Sequence, residues 1–179
     1  CSTDRTAQYA EDAGGIVLKH DVRKGYEHTL ITGFNYSSRN SFRFMITIDA
    51  DGQHDPQYIN AFLLPLVQGE VEMVIGLRPK KARLAEKIFA IYTNFRFGIS
   101  DPFCGMKAYS VKLYTSAKYA TAYSSIVTAV ALEAVKNNAL FREIPIPIYA
   151  RVGKPRFAGT IRANLKMIKA LMNTIRYIR

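Results

Sequence analysis

Three features are scarce in this chain of 179 residues, and each scarcity excludes a class of protein. No apolar run reaches the roughly 18 residues that a membrane-spanning helix requires, so no transmembrane helix is predicted. Two cysteines, Cys1 and Cys104, are too few for a disulfide framework and are typical of free thiols in a reducing cytosol. The N-terminal segment is polar and lacks the apolar core of a signal peptide.

Acidic residues are also scarce. The chain has 14 Asp and Glu against 25 Lys and Arg, which gives a net charge of +11. Such a balance indicates a polyanionic partner, and nucleic acid, an anionic membrane surface and a phosphorylated substrate all qualify. Hydrophobic residues at 49% are enough for a folded core, so the composition favours one globular domain over a disordered chain.

Short apolar segments alternate with helical patterns along the sequence. Strands are predicted at 16–18, 42–48 and 73–76, with an edge strand at 142–149 because its prolines cannot donate to a ladder. A first helix is predicted from a cap at Ser2 or Thr3 to residue 13. Further helices are predicted at 26–38, from Pro56 onward, from the basic loop at 79–83 to residue 97, at 111–119, at 124–137 and after residue 159. This alternation predicts an α/β fold with a largely parallel sheet, whose ligands bind beyond the carboxyl ends of the strands.

An acidic turn follows the apolar strand at 42–48. Asp49, Asp51 and Gln53 occupy alternate positions, so their side chains can converge, and Gly52 permits a sharp turn. Two carboxylates and an amide oxygen suit Mg²⁺ or Mn²⁺, with phosphate oxygens completing the shell. The alternative is a polar turn in which Asp55 caps the helix that begins at Pro56. An EF-hand calcium loop is a poor match, because the helix begins too soon.

The last predicted helix is amphipathic and basic. Its apolar residues recur at spacings of four and three, at Ile161, Leu165, Ile168, Met172 and Ile175. Cations lie on an adjacent stripe, at Arg162, Lys166, Lys169 and Arg176. This pattern is compatible with a helix that docks on the core and with one that lies in a membrane interface.

The segment DADGQHDP at 49–56 resembles the D-x-D segment of family-two glycosyltransferases, in the form typical of polyisoprenyl-phosphate glycosyltransferases such as dolichyl-phosphate mannosyltransferase. Further segments resemble the family in the same order: CSTDRT at 1–6, RKG at 23–25, GLR at 76–78, DPFCGMKAY at 101–109 and EIPI at 143–146. Each short match is weak, whereas their order and spacing together are specific. The resemblance implies a GT-A-type, Rossmann-like fold, with a catalytic domain at 1–157 and an amphipathic helix at 158–179.

The resemblance also implies roles for individual residues. Asp49 would contact the nucleotide ribose or the metal, and Asp51 and Gln53 would bind a Mg²⁺ or Mn²⁺ ion. Lys24 and Arg78 would contact the nucleotide sugar, and Asp101 would be the base that activates the acceptor. Without the resemblance, Asp101 reads as a loop carboxylate that caps a turn before Pro102.

Two basic loops fit a donor with a diphosphate. Arg151, Lys154 and Arg156 would stabilise the negative charge that builds on the leaving diphosphate, with Arg156 the foremost candidate. This loop is similar to the family's R-x-x-G-x-S-K/R loop, although Pro155 takes the serine position. A solvated turn is the alternative. A second cluster is either a surface loop or a flap over phosphate, and comprises Arg78, Lys80, Lys81 and Arg83.

The sequence departs from the family in several places. The family's first strand, opening helix and second strand have no counterpart, so sequence before Cys1 is expected to be missing. Leu77 and Cys104 stand where the family usually has serine.

Together with the acidic turn and the basic loops, the resemblance implies a metal-dependent, inverting transfer of a sugar from a UDP- or GDP-sugar to a polyisoprenyl phosphate or another glycan acceptor. The protein is expected in the cytoplasm, peripheral at the cytoplasmic face of a membrane. The alternatives are a basic module that binds membrane or nucleic acid without catalysis, and, more weakly, a two-metal nuclease. Nucleic acid is not the expected partner, because the basic residues lie in separate loops and not on a recognition helix.

Overall fold

The computed structural model describes residues 1–81, 83–116, 126–150 and 161–177, and it confirms an α/β fold. The strands are β1 (Phe44–Thr47), β2 (Met73–Leu77), β3 (Lys107–Ser110) and β4 (Phe141–Pro145). The helices are α1 (Thr6–Asp12), α2 (Tyr26–Arg39), α3 (Ile59–Val67), α4 (Leu84–Phe97), α5 (Val111–Ser116), α6 (Ile126–Lys136) and α7 (Ile161–Tyr177). A 3₁₀ turn, Pro56–Tyr58, leads into α3, and Asp55 caps it as predicted by accepting the Gln57 N–H at 2.9 Å.

The sheet is mixed, with the strand order β1-β3-β2-β4. β2 pairs parallel with β4, whereas β3 runs antiparallel to both β1 and β2. The prediction of a largely parallel sheet is therefore wrong for the pairing, although β1, β2 and β4 do share one direction. The reason lies in residues 98–106, which carry the chain from the end of α4 back to the carboxyl end of β2. β3 starts from that end and has to run against its neighbours.

Helices cover both faces of this sheet. Along β2, Met73 and Ile75 face one core cluster and Val74 faces the other, and all three side chains are fully buried. The first cluster includes Phe89 of α4 and residues of α2, α6 and α7, and the second includes Phe62 of α3. β2 is thus a strand buried on both faces, which explains its continuous apolar sequence.

Two N-terminal predictions are wrong. Residues 16–18 form no strand, and Ile16 is exposed, because none of the described strands lies beside them to accept a ladder. α1 begins at Thr6 and not after Ser2 or Thr3, since Asp4 accepts the Thr6 N–H at 3.0 Å. The ends of two predicted helices fall within 117–125 and outside the described residues, as does the basic loop at 151–157.

The C-terminal helix docks on the core through a face that the periodicity did not single out. α7 packs against α4, with Ala170 buried and Leu171 beside the first core cluster. Leu165, Ile168 and Met172, from the predicted apolar stripe, point to solvent instead. No helix within the described residues is long and apolar enough to cross a membrane.

Candidate active site

The acidic turn lies directly beyond β1, as the sequence predicted. Its Gly52 has a φ of 80°, a left-handed conformation that a residue with a side chain rarely adopts. Asp51 Oδ1 accepts the Gln53 N–H at 3.1 Å, which closes a tight turn. The backbone carbonyl of Gln53 accepts the Tyr149 N–H at 3.1 Å, so the turn is also tied to the segment after β4. Asp49 and Asp51 remain half-buried, at the border between protein and solvent.

His54 forms the floor of this turn, a role that sequence reasoning missed. Its Nδ1 accepts the Asp49 N–H at 3.3 Å, and the ring is buried. Burial lowers the pKa of His54, and the charges of Asp49 and Asp51 only partly offset that effect. A neutral imidazole is what the contact needs, because Nδ1 can accept only when it carries no proton.

Gly105 joins the acidic turn to the loop before β3. A Cβ added to Gly105 would lie 3.0 Å from Asp49 Cγ and 3.1 Å from His54 Cε1, closer than ordinary packing allows. The hydroxyl of Thr47, the last residue of β1, donates to the Gly105 carbonyl at 2.8 Å. A glycine is therefore required where the 101–109 segment passes the turn, and the two predicted motifs meet at this point.

Arg78 and Asp101, both predicted site residues, form one ion pair. Arg78 Nε donates to Asp101 Oδ2 at 2.8 Å, its Nη2 donates to Oδ1 at 2.9 Å, and its backbone N–H donates to Oδ2 at 3.1 Å. Arg78 also contacts Glu86 of α4 at 3.1 Å, and Arg83 contacts the other oxygen of Glu86 at 3.0 Å. Burial alone would lower the pKa of Arg78, but the contacts with Asp101 and Glu86 raise it above its ordinary value.

Asp101 itself is fully buried, with 0% of its surface exposed. Glu143 of β4 fixes the backbone around it, because Glu143 Oε1 accepts the N–H of Ser100 at 2.7 Å and of Asp101 at 3.1 Å. The glutamate of the EIPI segment thus has a positioning role that sequence reasoning did not assign. Since Arg78 engages both carboxylate oxygens, Asp101 does not present a free oxygen to solvent in this arrangement.

Lys107, the first residue of β3, is a second site residue that sequence reasoning missed. It is fully buried, and its Nζ donates to the Cys104 carbonyl. Burial lowers the pKa of Lys107 to about 8, although the nearby charge of Asp101 favours the ammonium form. Lys107 lines a cavity of about 230 Å³ together with Tyr26, Arg78, Thr128 and Met167. The sequence feature that could have identified Lys107 is its place within the DPFCGMKAY segment, two residues after Gly105.

The structure brings some predicted residues together and leaves others apart. One group lies around a common centre and comprises Asp49, Asp51, Arg78 and Asp101. The charges of Asp49, Asp51 and Arg78 act on the pKa of His54. The charges of Asp49, Arg78 and Asp101 act on the pKa of Lys107. Lys24 is exposed in the loop before α2. It lies two positions before Tyr26, which lines the cavity. Arg151, Lys154 and Arg156 lie outside the described residues.

The donor set of the acidic turn fits a hard divalent cation in part. Within the described part of the chain, no three His, Cys, Asp or Glu side chains gather around one point. Asp49 and Asp51 supply two half-buried carboxylates on a single turn. Mg²⁺ and Mn²⁺ are commonly held by one or two carboxylates together with phosphate oxygens and water, so two protein ligands suffice for an ion that arrives with a diphosphate.

The sequence comparison decides the family. The model of glycosyl transferase family 2 matches residues 1–120, about two thirds of the chain. The chain belongs to glycosyl transferase family 2. The sequence prediction of a glycosyltransferase is confirmed, and the acidic turn and the whole 101–109 segment described above lie within the matched span.

Curated relatives of this glycosyltransferase come from archaea. The protein MJ1222 of Methanocaldococcus jannaschii, itself uncharacterized, is 26% identical over 97% of this chain and 78% of its own length. The UDP-N-acetylglucosamine--dolichyl-phosphate N-acetylglucosaminyltransferase of Methanococcus voltae is 28% identical over 73% of this chain and 58% of its own. The low-salt glycan biosynthesis hexosyltransferase Agl6 of Haloferax volcanii is 24% identical, over 86% and 39%.

Comparison with solved structures confirms the GT-A architecture of the fold. Glucosyl-3-phosphoglycerate synthase of Mycobacterium tuberculosis, in complex with Mn²⁺, UDP and glucosyl-3-phosphoglycerate, superimposes with a TM-score of 0.71 at 17% identity. The match covers 98% of this chain and 65% of that one. The same enzyme in complex with UDP gives a TM-score of 0.73. At this identity the likeness shows the fold alone.

Proposed function

We propose that this glycosyltransferase transfers a sugar, with inversion, from a UDP- or GDP-sugar to a polyisoprenyl phosphate, using a divalent cation bound at the acidic turn. The observation that carries the proposal is the meeting of that turn with the loop of Asp101 at Gly105. The two motifs then serve one reaction centre, with donor groups on one side and Arg78 on the other. The name of the Methanococcus voltae relative, which pairs a UDP-sugar with dolichyl phosphate, supports this choice of substrates.

On the donor side, Asp49, Asp51 and the amide of Gln53 would hold a Mg²⁺ or Mn²⁺ ion, which supplies positive charge to the diphosphate as it leaves. The Mn²⁺ and UDP complexes of the mycobacterial synthase support this role. Asp49 is proposed to contact the nucleotide ribose or the metal. Lys24, Arg151, Lys154 and Arg156 are proposed to bind the diphosphate, because cations there stabilise the charge that develops in the transition state.

On the acceptor side, Arg78 and Asp101 are proposed to act as a pair, which differs from the contact between Arg78 and the nucleotide sugar that the resemblance implied. The Arg78 fork, which binds Asp101 here, matches a phosphate equally well. A phosphate that draws the guanidinium away frees the Asp101 carboxylate, which then serves as the proposed base. An anionic lipid phosphate requires little deprotonation, so for that acceptor the main contribution of Asp101 is to hold Arg78 ready.

The decisive experiment is replacement of a proposed metal ligand. Asp51→Ala is expected to abolish Mn²⁺-dependent transfer or hydrolysis of a nucleotide sugar while the protein stays folded. Asp55→Ala is the matched control, because it removes a carboxylate four residues away that caps a 3₁₀ turn and is expected to keep turnover. A thermal-shift panel of UDP- and GDP-sugars, with and without Mn²⁺, first identifies the donor. Full turnover by Asp51→Ala would exclude the proposed metal site.

The lipid nature of the acceptor supports a location at the cytoplasmic face of a membrane, which is part of the proposal. The competing function is a non-catalytic basic module, which the net charge of +11 favours. Steep salt-dependent binding to DNA, together with no response to Mn²⁺ and any nucleotide sugar, would support that alternative.

A further inference from the structure

Helix α4 carries a stripe of large apolar side chains that the fold does not bury. Leu84, Ile88, Ile91 and Phe95 recur at spacings of four, three and four, and they are 70%, 46%, 71% and 92% exposed. The opposite side of the helix carries the residues that pack into the core, among them Ala85, Phe89, Ala90, Thr93 and Phe97. The stripe is therefore a second apolar face of a helix whose first apolar face is already in use.

The neighbouring helix α7 repeats this arrangement. Its buried Ala170 lies on the side that packs against α4 and the core, whereas Leu165, Ile168 and Met172 are exposed on the other side. Two adjacent helices thus each turn an apolar stripe away from the protein. Exposed apolar stripes of this kind on a folded protein mark a site of interaction.

The charges beside the two stripes have one sign. Lys87 and Arg96 of α4 are exposed, and so are Lys169 and Arg176 of α7. Within the spans of these two helices the one acidic residue is Glu86, which is buried and bound by Arg78 and Arg83. Apolar side chains flanked by cations alone complement an anionic lipid surface. Two copies pairing through this face would place like charges against each other, which disfavours self-association.

We propose that the exposed stripes of α4 and α7, named here the α4–α7 surface, dock the protein on an anionic lipid bilayer. The apolar residues enter the boundary between headgroups and acyl chains, and Lys87, Arg96, Lys169 and Arg176 contact the lipid phosphates. Membrane docking by this surface stands independently of the reaction. One consequence rests on the proposed function: Arg83, directly before α4, and Met167 of α7 line the cavity that holds Arg78 and Lys107, so docking brings a lipid phosphate beside that cavity.

The test measures cosedimentation with phosphatidylcholine vesicles that contain or lack phosphatidylglycerol, with no nucleotide sugar present. The protein is expected to pellet with the anionic vesicles and to bind neutral vesicles more weakly. The double variant Ile91→Asn/Phe95→Asn is expected to lose at least tenfold in binding to the anionic vesicles, since two large apolar side chains no longer enter the bilayer. Both positions are exposed, and circular dichroism checks that the variant is folded.

The control variant is Leu64→Asn/Val67→Asn. It removes two apolar side chains that are 56% and 55% exposed from α3, on the other face of the sheet, and is expected to bind vesicles as the unaltered protein does. Equal loss in both double variants, or none in Ile91→Asn/Phe95→Asn, would overturn the proposal. So would sedimentation-velocity data showing a dimer that only the α4 variant dissociates, because a second copy would then be the occupant.

The outcome is separable from that of the proposed reaction. Asp51→Ala is expected to bind vesicles normally although it lacks transfer. Conversely, Ile91→Asn/Phe95→Asn is expected to keep Mn²⁺-dependent hydrolysis of the nucleotide sugar in solution. Loss of vesicle binding in Asp51→Ala would place the docking determinant in the acidic turn and contradict the α4–α7 surface.

Discussion

The turn after β1 and the segment after β2 both place charged side chains at the carboxyl end of a strand, but they hold them differently. After β2, Arg78 is enclosed by Asp101 and Glu86 in a buried network with short side-chain contacts. After β1, Asp49 and Asp51 are positioned by backbone N–H groups and by His54, and they stay half-buried. The first arrangement satisfies its charges within the protein. The second leaves carboxylates at the surface, where a cation and a diphosphate can reach them.

Asp101→Ala should give the largest effect on stability. It leaves the guanidinium of Arg78 without its main partner in a buried position, and breaking such a pair costs about 3–5 kcal/mol. Chemical denaturation should therefore show a large loss in the free energy of unfolding. For Asp51→Ala, which removes one hydrogen bond at the border with solvent, the expected change is about 0.5–1.5 kcal/mol. Similar losses in the two variants would mean that the contrast between the enclosed and the open charges is wrong.

Gly105→Ala should give an intermediate effect that falls on the site. The added Cβ meets the carboxylate of Asp49 and the ring of His54, so the acidic turn has to shift. We expect a loss of about 1–3 kcal/mol in stability, as for overpacking elsewhere, together with weaker Mn²⁺-dependent binding of the donor in a thermal-shift titration.

The matched control for that variant is Gly33→Ala, at a helical position where an added Cβ meets nothing within 4 Å. It should leave donor binding unchanged and stabilise α2 by up to about 1 kcal/mol, because alanine is the better helix former. Equal donor binding by Gly105→Ala and Gly33→Ala would show that the two motifs do not share one site.

A further expected effect is a dependence of stability on pH that comes from Lys107. Burial lowers its folded-state pKa to about 8 from the ordinary 10.5. Between these values the unfolded chain binds more protons than the folded protein, so this lysine makes the free energy of unfolding rise with pH. The folded and unfolded states differ by at most one bound proton at this lysine. The unfolding equilibrium constant therefore falls by at most about tenfold per pH unit.

Cys104 opposes this trend in the same pH range. Burial raises the pKa of its thiol, so the unfolded thiol ionises first and stability falls as the pH rises. The measurement is therefore made in a Cys104→Ala background, by comparing Lys107 with Lys107→Met from pH 7.5 to pH 10 (roughly the window set by the pKa of about 8). A steeper rise in the protein that retains Lys107 is expected. Parallel curves would contradict a depressed lysine pKa.

The sequence predicted those parts of the molecule that depend on local chemistry. The turn at Asp49 to Gln53, the cap by Asp55 and the end of α4 at Phe97 all follow from residues within a few positions of one another. The Arg78–Asp101 pair could not be derived in this way. It spans 23 positions and depends on the chain returning to the carboxyl end of β2, which also reverses β3. Lys107 was missed for the same reason, because its burial results from that return.

The final helix illustrates a second limit. Periodicity predicted an apolar stripe that contains Leu165, Ile168 and Met172, but it could not say which side of the helix meets the protein. The structure uses the side with Ala170, where a small side chain lets α7 approach α4 closely. Hydrophobicity alone favours the larger side chains, whereas close packing between helices also rewards small ones.

The pairing of Thr47 with Lys107 between β1 and β3 determines where the two motifs meet, in addition to the register of the sheet. The pairing also brings Thr47, next to the acidic turn, within hydrogen-bond distance of the Gly105 carbonyl. The distance between the two motifs is therefore set by the register of β1 against β3, and not by the number of residues that separate them in the sequence. A one-residue insertion between Gly105 and Lys107 would turn every following side chain of β3 to the opposite face, and would move the lysine out of the cavity and into the layer beneath α3.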